Sequence, residues 1–342
     1  MQATELAINS YYTLIAATIV LLFGKFLVQK IKFLQDFNIP EPVAGGLVAA
    51  VLITVLHSFT GFSLKFEKPL QDAFMLIFFS SIGLSADFSR LKAGGLPLVI
   101  FTAIVGAFIF VQNVVGVGLA KVLDIHPAIG LITGSITLTG GHGTAGAWGK
   151  ILETDYGIKG ATSLGMASAT FGLVLGGLIG GPVARKLVNN MGRKPITDKA
   201  TDNVVDTVVE VFENAGKQRL ITSKSAIETM ALFAACLSFS AIMVSPTVTA
   251  YLPEKFTIPQ FVWALFFGVL LRNVLTNAFK INMFDRAIDV FGNASLSLFL
   301  GIALLNLKLW TLLDIAVPML IILAVQTFVM CTYAYFVTFR LM

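Results

Sequence analysis

The chain has 342 residues, of which 56% are apolar and only 13% charged, against roughly 25% charged in an ordinary soluble domain. That balance excludes a soluble globular protein, and it excludes disorder, which needs low hydrophobicity and high charge. The net charge of +5 is a poor argument for nucleic-acid binding, because a basic excess in a membrane chain reports loops held on the cytoplasmic side.

One bilayer crossing needs about 20 mostly apolar residues. Stretches free of Asp, Glu, Lys and Arg run over 6–24, 43–64, 73–86, 93–120, 127–149, 160–184, 229–253, 256–271, 290–307 and 315–339. The first reads as a permanent helix, since the MQATE ahead of it is acidic and no small-residue cleavage site follows, unlike a secretory signal. After the sixth comes the polar stretch 185–224, with eight basic and five acidic residues. It is expected to be a cytoplasmic linker between a first membrane repeat (1–184) and a second (225–342), and no enzyme domain fits in it. Cys236 and Cys331 lie inside apolar stretches without metal-ligand spacing and read as packing residues, and no disulfide is expected.

The fifth stretch, PAIGLITGSITLTGGHGTAGAWG, carries six glycines between positions 134 and 149. Each glycine in a helix interior costs roughly 1 kcal/mol relative to alanine, so TGGHGT is the expected break between two half-helices. Non-helical backbone at membrane depth survives only where protein or a water-filled cavity surrounds it. The stretch is therefore expected to be a re-entrant hairpin at a binding site. Charge placement agrees: with nine crossings and one hairpin, one set of loops holds 17 of the 24 Lys and Arg residues and the other 7. The basic set is expected to be cytoplasmic, which leaves the N-terminus outside. A full crossing by 127–149 would largely cancel that bias.

Internal repetition points to an inverted-repeat secondary carrier. Ile39-Pro40 recurs as Ile258-Pro259, Ile82-Gly83-Leu84 as Ile302-Ala303-Leu304, and Pro97 as Pro318, at offsets of 219, 220 and 221. With five crossings in the first half, the second half starts on the opposite side. The same offset places a second hairpin near residues 355–365, past Met342. The expectation is thus an all-α polytopic membrane protein whose second repeat is incomplete, a chain truncated before a second hairpin and a last helix.

The strings NIPEPVAGG at 38–46, FFSSIGL at 78–84, GSITLTGGHGTAGAWG at 134–149, ATFGLVLGGLIGGPVAR at 169–185 and FGNASLSLFL at 291–300 resemble the bacterial glutamate:sodium symporter family. The likeness runs from about residue 10 to the end, the linker apart, and the hairpin string is its most specific part. The resemblance implies a ten-helix carrier of the bacterial inner membrane with two re-entrant hairpins, usually a homodimer, moving L-glutamate with sodium by an elevator-like movement. No cofactor beyond the coupling ion is implied.

The chemistry is consistent with that resemblance. Glutamate carries two carboxylates and an ammonium, yet the hairpin stretch and the apolar stretch after it contain no Lys, Arg, Asp or Glu. Binding an anion together with a cation removes the cost of burying either alone. Half-helix N-termini near Gly140, Gly141 and Gly143 present N–H groups to a carboxylate. The hydroxyls of Ser135, Thr137, Thr139 and Thr144, with unwound carbonyls, offer sodium the oxygens that a hard cation prefers. His142 has three readings: a bond to a substrate carboxylate, a proton-coupling group, or a brace for the loop. Ser80, Ser81 and Thr170 complete the candidate site if they face it, and otherwise bond the carbonyl of the preceding turn. Gln112, Asn113, Asn273, Asn277 and Gln326 read as interhelical hydrogen bonds, Glu228 as a helix cap, and His57 and His126 as interfacial residues.

Another anionic amino acid or dicarboxylate remains an alternative substrate, as does a transport-incompetent truncated form. The rival class is an intramembrane hydrolase using Ser135 and His142. The chain has no G-x-S-x-G elbow, and one glycine loop holds both residues too loosely for nucleophilic catalysis. A channel needs charged rings or repeated carbonyl motifs, and neither is visible.

Overall fold

The computed structural model describes residues 5–36, 39–190, 221–251, 258–281, 283–311 and 315–341. Its long helices are α1 (Ser10–Lys30), α2 (Glu41–Thr60), α3 (Lys68–Ser85) and α4 (Phe88–Val122). A broken segment follows, α5 (Pro127–Leu131) continuing in π-helical turns over Ile132–Thr139 and then α6 (Gly141–Thr154). The remainder are α7 (Ala161–Asn190), α8 (Ser223–Met243), α9 (Gln260–Asn273), α10 (Asp285–Leu305) and α11 (Ala316–Tyr333). Most of the polar stretch expected to be a linker, 191–220, lies outside the described residues, and its first residues belong to the end of α7.

Local chemistry sets the helix ends. The Asn9 side chain caps α1 by accepting from the Tyr12 N–H, prolines occupy the first turns of α2 and α3, and α2 stops at Gly61 in the left-handed region. Proline is tolerated in a first turn because its missing N–H has no partner there in any case. A short parallel pairing of Glu5–Ala7 with Ser63–Lys65 ties the N-terminal segment to the α2–α3 loop. Inside α4, Gly95 (φ 54°, ψ −151°) interrupts the helix just ahead of Pro97, so the crossing expected over 93–120 is preceded by a separate short piece.

Seven helices among the described residues are long and apolar enough to cross a membrane. Their outward faces carry large apolar residues such as Tyr11, Leu52, Phe110 and Phe328. An apolar surface this extensive belongs against lipid. α10 is the most deeply buried helix, with 56% of its apolar window inside the protein.

The helices pack in two groups. α1, α2, α3, α8, α9 and α10 form one, and α4, the broken segment, α7 and α11 form the other. Between Phe88 and α9 the Asn273 side chain is a clamp, accepting from the Phe88 N–H at 2.9 Å and donating to the Ala86 carbonyl at 2.9 Å. Beside it the buried Arg272 pairs with Asp285 and, at 3.6 Å, with Asp87. In the second group α4 meets α5 at Gly116 and Gly130, where a Cβ on either would overlap the backbone of the other. Only hydrogen fits at that crossing, which brings the broken segment within hydrogen-bond reach of α4.

Candidate functional site

The broken segment begins with His126, whose Nδ1 caps α5 by accepting from the Ala128 N–H at 3.2 Å. Gly134 leaves helical geometry (φ −116°, ψ −121°). The chain then turns at Gly140 and Gly141, the latter at φ 77°, a conformation that costs an L side chain roughly 1–2 kcal/mol. Across this turn the Thr144 hydroxyl donates to the Ile136 carbonyl at 2.7 Å. In a continuous helix those residues would be about 12 Å apart along the axis. The bond therefore closes a folded-back tip.

The first limb is fastened to α4 by side chains. The Ser135 hydroxyl donates to Asn113 Oδ1 at 2.5 Å and the Thr139 hydroxyl to Gln112 Oε1 at 2.5 Å. Gln326 of α11 donates from Nε2 to the Gln112 carbonyl at 2.7 Å. Thr137 is buried and donates to the Ile132 carbonyl. Two amide atoms at this junction, Gln112 Nε2 and Gln326 Oε1, are buried without a hydrogen-bond partner. Leaving such groups unpaired costs about 1–3 kcal/mol each.

The second limb is held from α7. His142 Nε2 lies 3.1 Å from Thr170 Oγ1, and the Thr170 hydroxyl donates to the Met166 carbonyl at 2.8 Å. Thr170 has one proton, so both contacts are satisfied when Nε2–H donates to it, which leaves Nδ1 as the acceptor of the ring. Of the three readings of His142, the geometry thus supplies a brace, with one nitrogen to spare.

Two cavities flank the tip. One, of about 410 Å³, is lined by Gly140, His142, Gly143 and Thr144 together with Phe78 and Phe79 of α3 and Leu296, Ser297 and Leu300 of α10. The other, of about 430 Å³, runs from Thr137 to His142 along Ala169, Gly172 and Gly176 of α7. Among the described residues no ionisable side chain other than His142 lines either cavity. Volumes of this size are usual for small-molecule sites. The start of α6, which faces them, has no side-chain cap, so its first N–H groups are available to an anion.

The structure brings together Thr137, Thr139, Gly140, Gly141, His142, Gly143 and Thr144, and places Thr170 against His142. Ser135 sits at the α4 junction. Ser80 and Ser81 do not line the tip cavities: each is buried and donates to a carbonyl of the preceding turn, Leu76 and Phe78 respectively. Ser297 was not singled out by sequence reasoning; its only signal was a place in the FGNASLSLFL string. Gln326 makes the interhelical bond expected of it, to the Gln112 carbonyl, whereas the side chains of Gln112 and Asn113 accept from hydroxyls of the broken segment. The His57 ring stacks on Trp310 and its Nδ1 lies 3.0 Å from the Phe62 carbonyl.

The model of a family described as "Sodium/glutamate symporter" matches residues 6–342. The chain is 47% identical over 336 residues to a protein of Haemophilus influenzae named sodium/glutamate symporter, an alignment that covers 98% of this chain and 81% of the relative. It is 46% identical over 338 residues to an Escherichia coli protein of the same name, with the same two coverages. No solved structure matches.

Proposed function

The chain belongs to the sodium/glutamate symporter family, and from that premise we propose that it moves L-glutamate together with sodium, using the folded-back tip at 137–144 as the place where the two meet. The observation that carries the reading is the absence of fixed charge around that tip, where hydroxyls, amides, an uncapped helix start and one histidine line two cavities. Such a site holds neither ion well by itself, because an unpaired charge at low dielectric is costly. It holds an anion beside a cation, and coupling follows from that mutual need.

On this reading the two ions take different sides of the tip. The α4 junction supports the sodium side, since it gathers the oxygens of Thr139, Ser135, Asn113 and Gln112 next to the unpaired Gln326 Oε1, and a hard cation takes oxygen ligands. The start of α6 supports the glutamate side. Its N–H groups at Gly141 to Gly143 and the partial positive charge of the helix end favour a carboxylate. His142 Nδ1 and Ser297 lie in the same cavity for the ammonium and the second carboxylate.

The same proposal includes an inverted pairing of 1–184 with 225–342, a broken segment that enters the membrane and returns, an N-terminus outside, a cytoplasmic 185–224 and a bacterial inner-membrane homodimer. The loop charges, 17 against 7, support the orientation. The test is uptake of radiolabelled L-glutamate into proteoliposomes holding the full chain. An inward sodium gradient is expected to drive accumulation, and equal uptake with potassium in its place would overturn the coupling.

A further inference from the structure

At the end of the bundle where α7 begins, a cavity of about 680 Å³ opens between α3, the end of α6, the start of α7 and the end of α10. Five lysines line it: Lys65, Lys68, Lys150, Lys159 and Lys308. The loops at that end hold only 7 of the chain's 24 basic residues, so five of the seven converge on one mouth although they come from four separate parts of the sequence. Among the described residues two carboxylates share the lining, and both are engaged. Asp72 of α3 takes Lys150 of α6 at 2.5 Å, and Glu153 accepts from the Thr162 N–H at 3.0 Å. Lys68 and Lys159 are exposed and pair with no carboxylate among the described residues.

The cavity shares no lining residue with the two at the tip. Gly146, four residues after His142 on α6, lines its floor, and the ring of the fully buried Phe299 rests where a Cβ on Gly146 would lie. Phe299 belongs to the same buried cluster as Met75, which lines this mouth, and Phe79, which lines the cavity that holds His142. Positive charge is thus collected at an aqueous mouth one helical turn from a pocket that has none.

We propose that this lysine-lined mouth is a separate outer anion site, a loose, salt-sensitive stop for a carboxylate-bearing amino acid before it reaches the tip. The proposal rests on the reading that the cargo is anionic. Charges lining a cleft raise the local concentration of an opposite charge and hence the on-rate, without tightening the inner site. The Lys150–Asp72 bond joins the two helix groups across this mouth, and an arriving carboxylate competes with Asp72 for the same ammonium.

The test measures the local potential directly. In the full chain with Cys236 and Cys331 replaced by alanine, Thr162→Cys places a thiol at the mouth, and its reaction rates with an anionic sulfonate-bearing and a cationic trimethylammonium-bearing methanethiosulfonate are compared in proteoliposomes. One unit charge at about 10 Å in water changes the local concentration of a monovalent ion about twofold. Lys68→Gln with Lys159→Gln is therefore expected to lower the anion-to-cation rate ratio roughly tenfold in dilute salt. The difference should fade near 1 M salt, where the Debye length is about 3 Å. The same pair should raise the KM for glutamate uptake severalfold and leave Vmax in place, and Lys→Arg at both positions should restore both measures. An unchanged ratio overturns the outer site. A shifted ratio in a wild-type chain that takes up no glutamate supports the anion site and overturns the transport reading instead.

Discussion

Gly141→Ala isolates backbone geometry at the tip. Gly141 sits at φ 77° with nothing within 4 Å of where a Cβ would project, so the substitution adds strain without a clash. The left-handed region costs an L residue roughly 1–2 kcal/mol. If the native tip is the conformation that binds, the variant must restore it against that cost, and apparent affinity falls by the unoccupied fraction. At 1.4 kcal/mol per factor of ten, the expected loss is about 5- to 30-fold in the Kd for glutamate. Gly61→Ala is the matched control, since Gly61 has φ 70° and equally open surroundings but ends α2 far from the tip in sequence. Both variants should unfold at lower temperature in detergent by similar amounts, and only Gly141→Ala should weaken glutamate binding by purified protein in saturating sodium. Equal destabilisation with wild-type affinity at position 141 would refute the placing of the site.

Thr170→Val removes the acceptor of His142 Nε2; a net hydrogen bond of about 0.5–1.5 kcal/mol translates into a 2- to 13-fold rise in the KM for glutamate, with Thr170→Ser close to wild type in the same uptake assay. Thr139→Val leaves the buried Gln112 Oε1 without its donor. Its half-saturating sodium concentration should rise, and sodium activation identical to wild type would remove Thr139 from the cation side. Arg272→Ala takes the buried guanidinium away from Asp285 and Asp87. Breaking a buried pair in this way costs about 3–5 kcal/mol, so folded yield and thermal stability in detergent should collapse while uptake per folded molecule is retained.

Of the nine expected crossings, seven are long and apolar enough to span among the described residues; they were legible because bilayer thickness imposes a length on apolar runs, and the middle of each of these helices falls on a charge-free stretch. The break at Gly140 and Gly141 was legible for the same kind of reason, a local backbone cost written in glycine. Side-chain direction was not. In the π-helical turns of Ile132–Thr139 the usual helical spacing fails, so nothing in the sequence said that Ser135 and Thr139 would turn to α4 while Thr137 turned to the Ile132 carbonyl. Ser80 and Ser81 depend on the rotation of α3, which is set by close packing on α9 and α10, including Gly83 against Gly268 and Ser81 against Gly292. Packing of that kind between residues about 200 positions apart leaves no trace in a single chain.

The bonds around the tip are unequal in kind, and that inequality bears on which parts move together. Within the second helix group the broken segment is held by directional hydrogen bonds, from Ser135 and Thr139 to α4, from Gln326 to Gln112 and from His142 to Thr170. Toward the first group its contacts are mostly smooth and apolar, Gly143 on Phe78 and Gly146 on Phe299, with the Lys150–Asp72 pair at the water-facing rim. Directional bonds between buried groups are expensive to part. Apolar contact can instead be exchanged for similar apolar contact as one surface slides over another. A displacement of the tip is therefore cheapest when α4 beyond its break at Gly95, α7 and α11 travel with it and α3 and α10 stay behind, and the half-exposed rim pair, worth little in solvent, is an ionic link among the described residues that such a movement has to break.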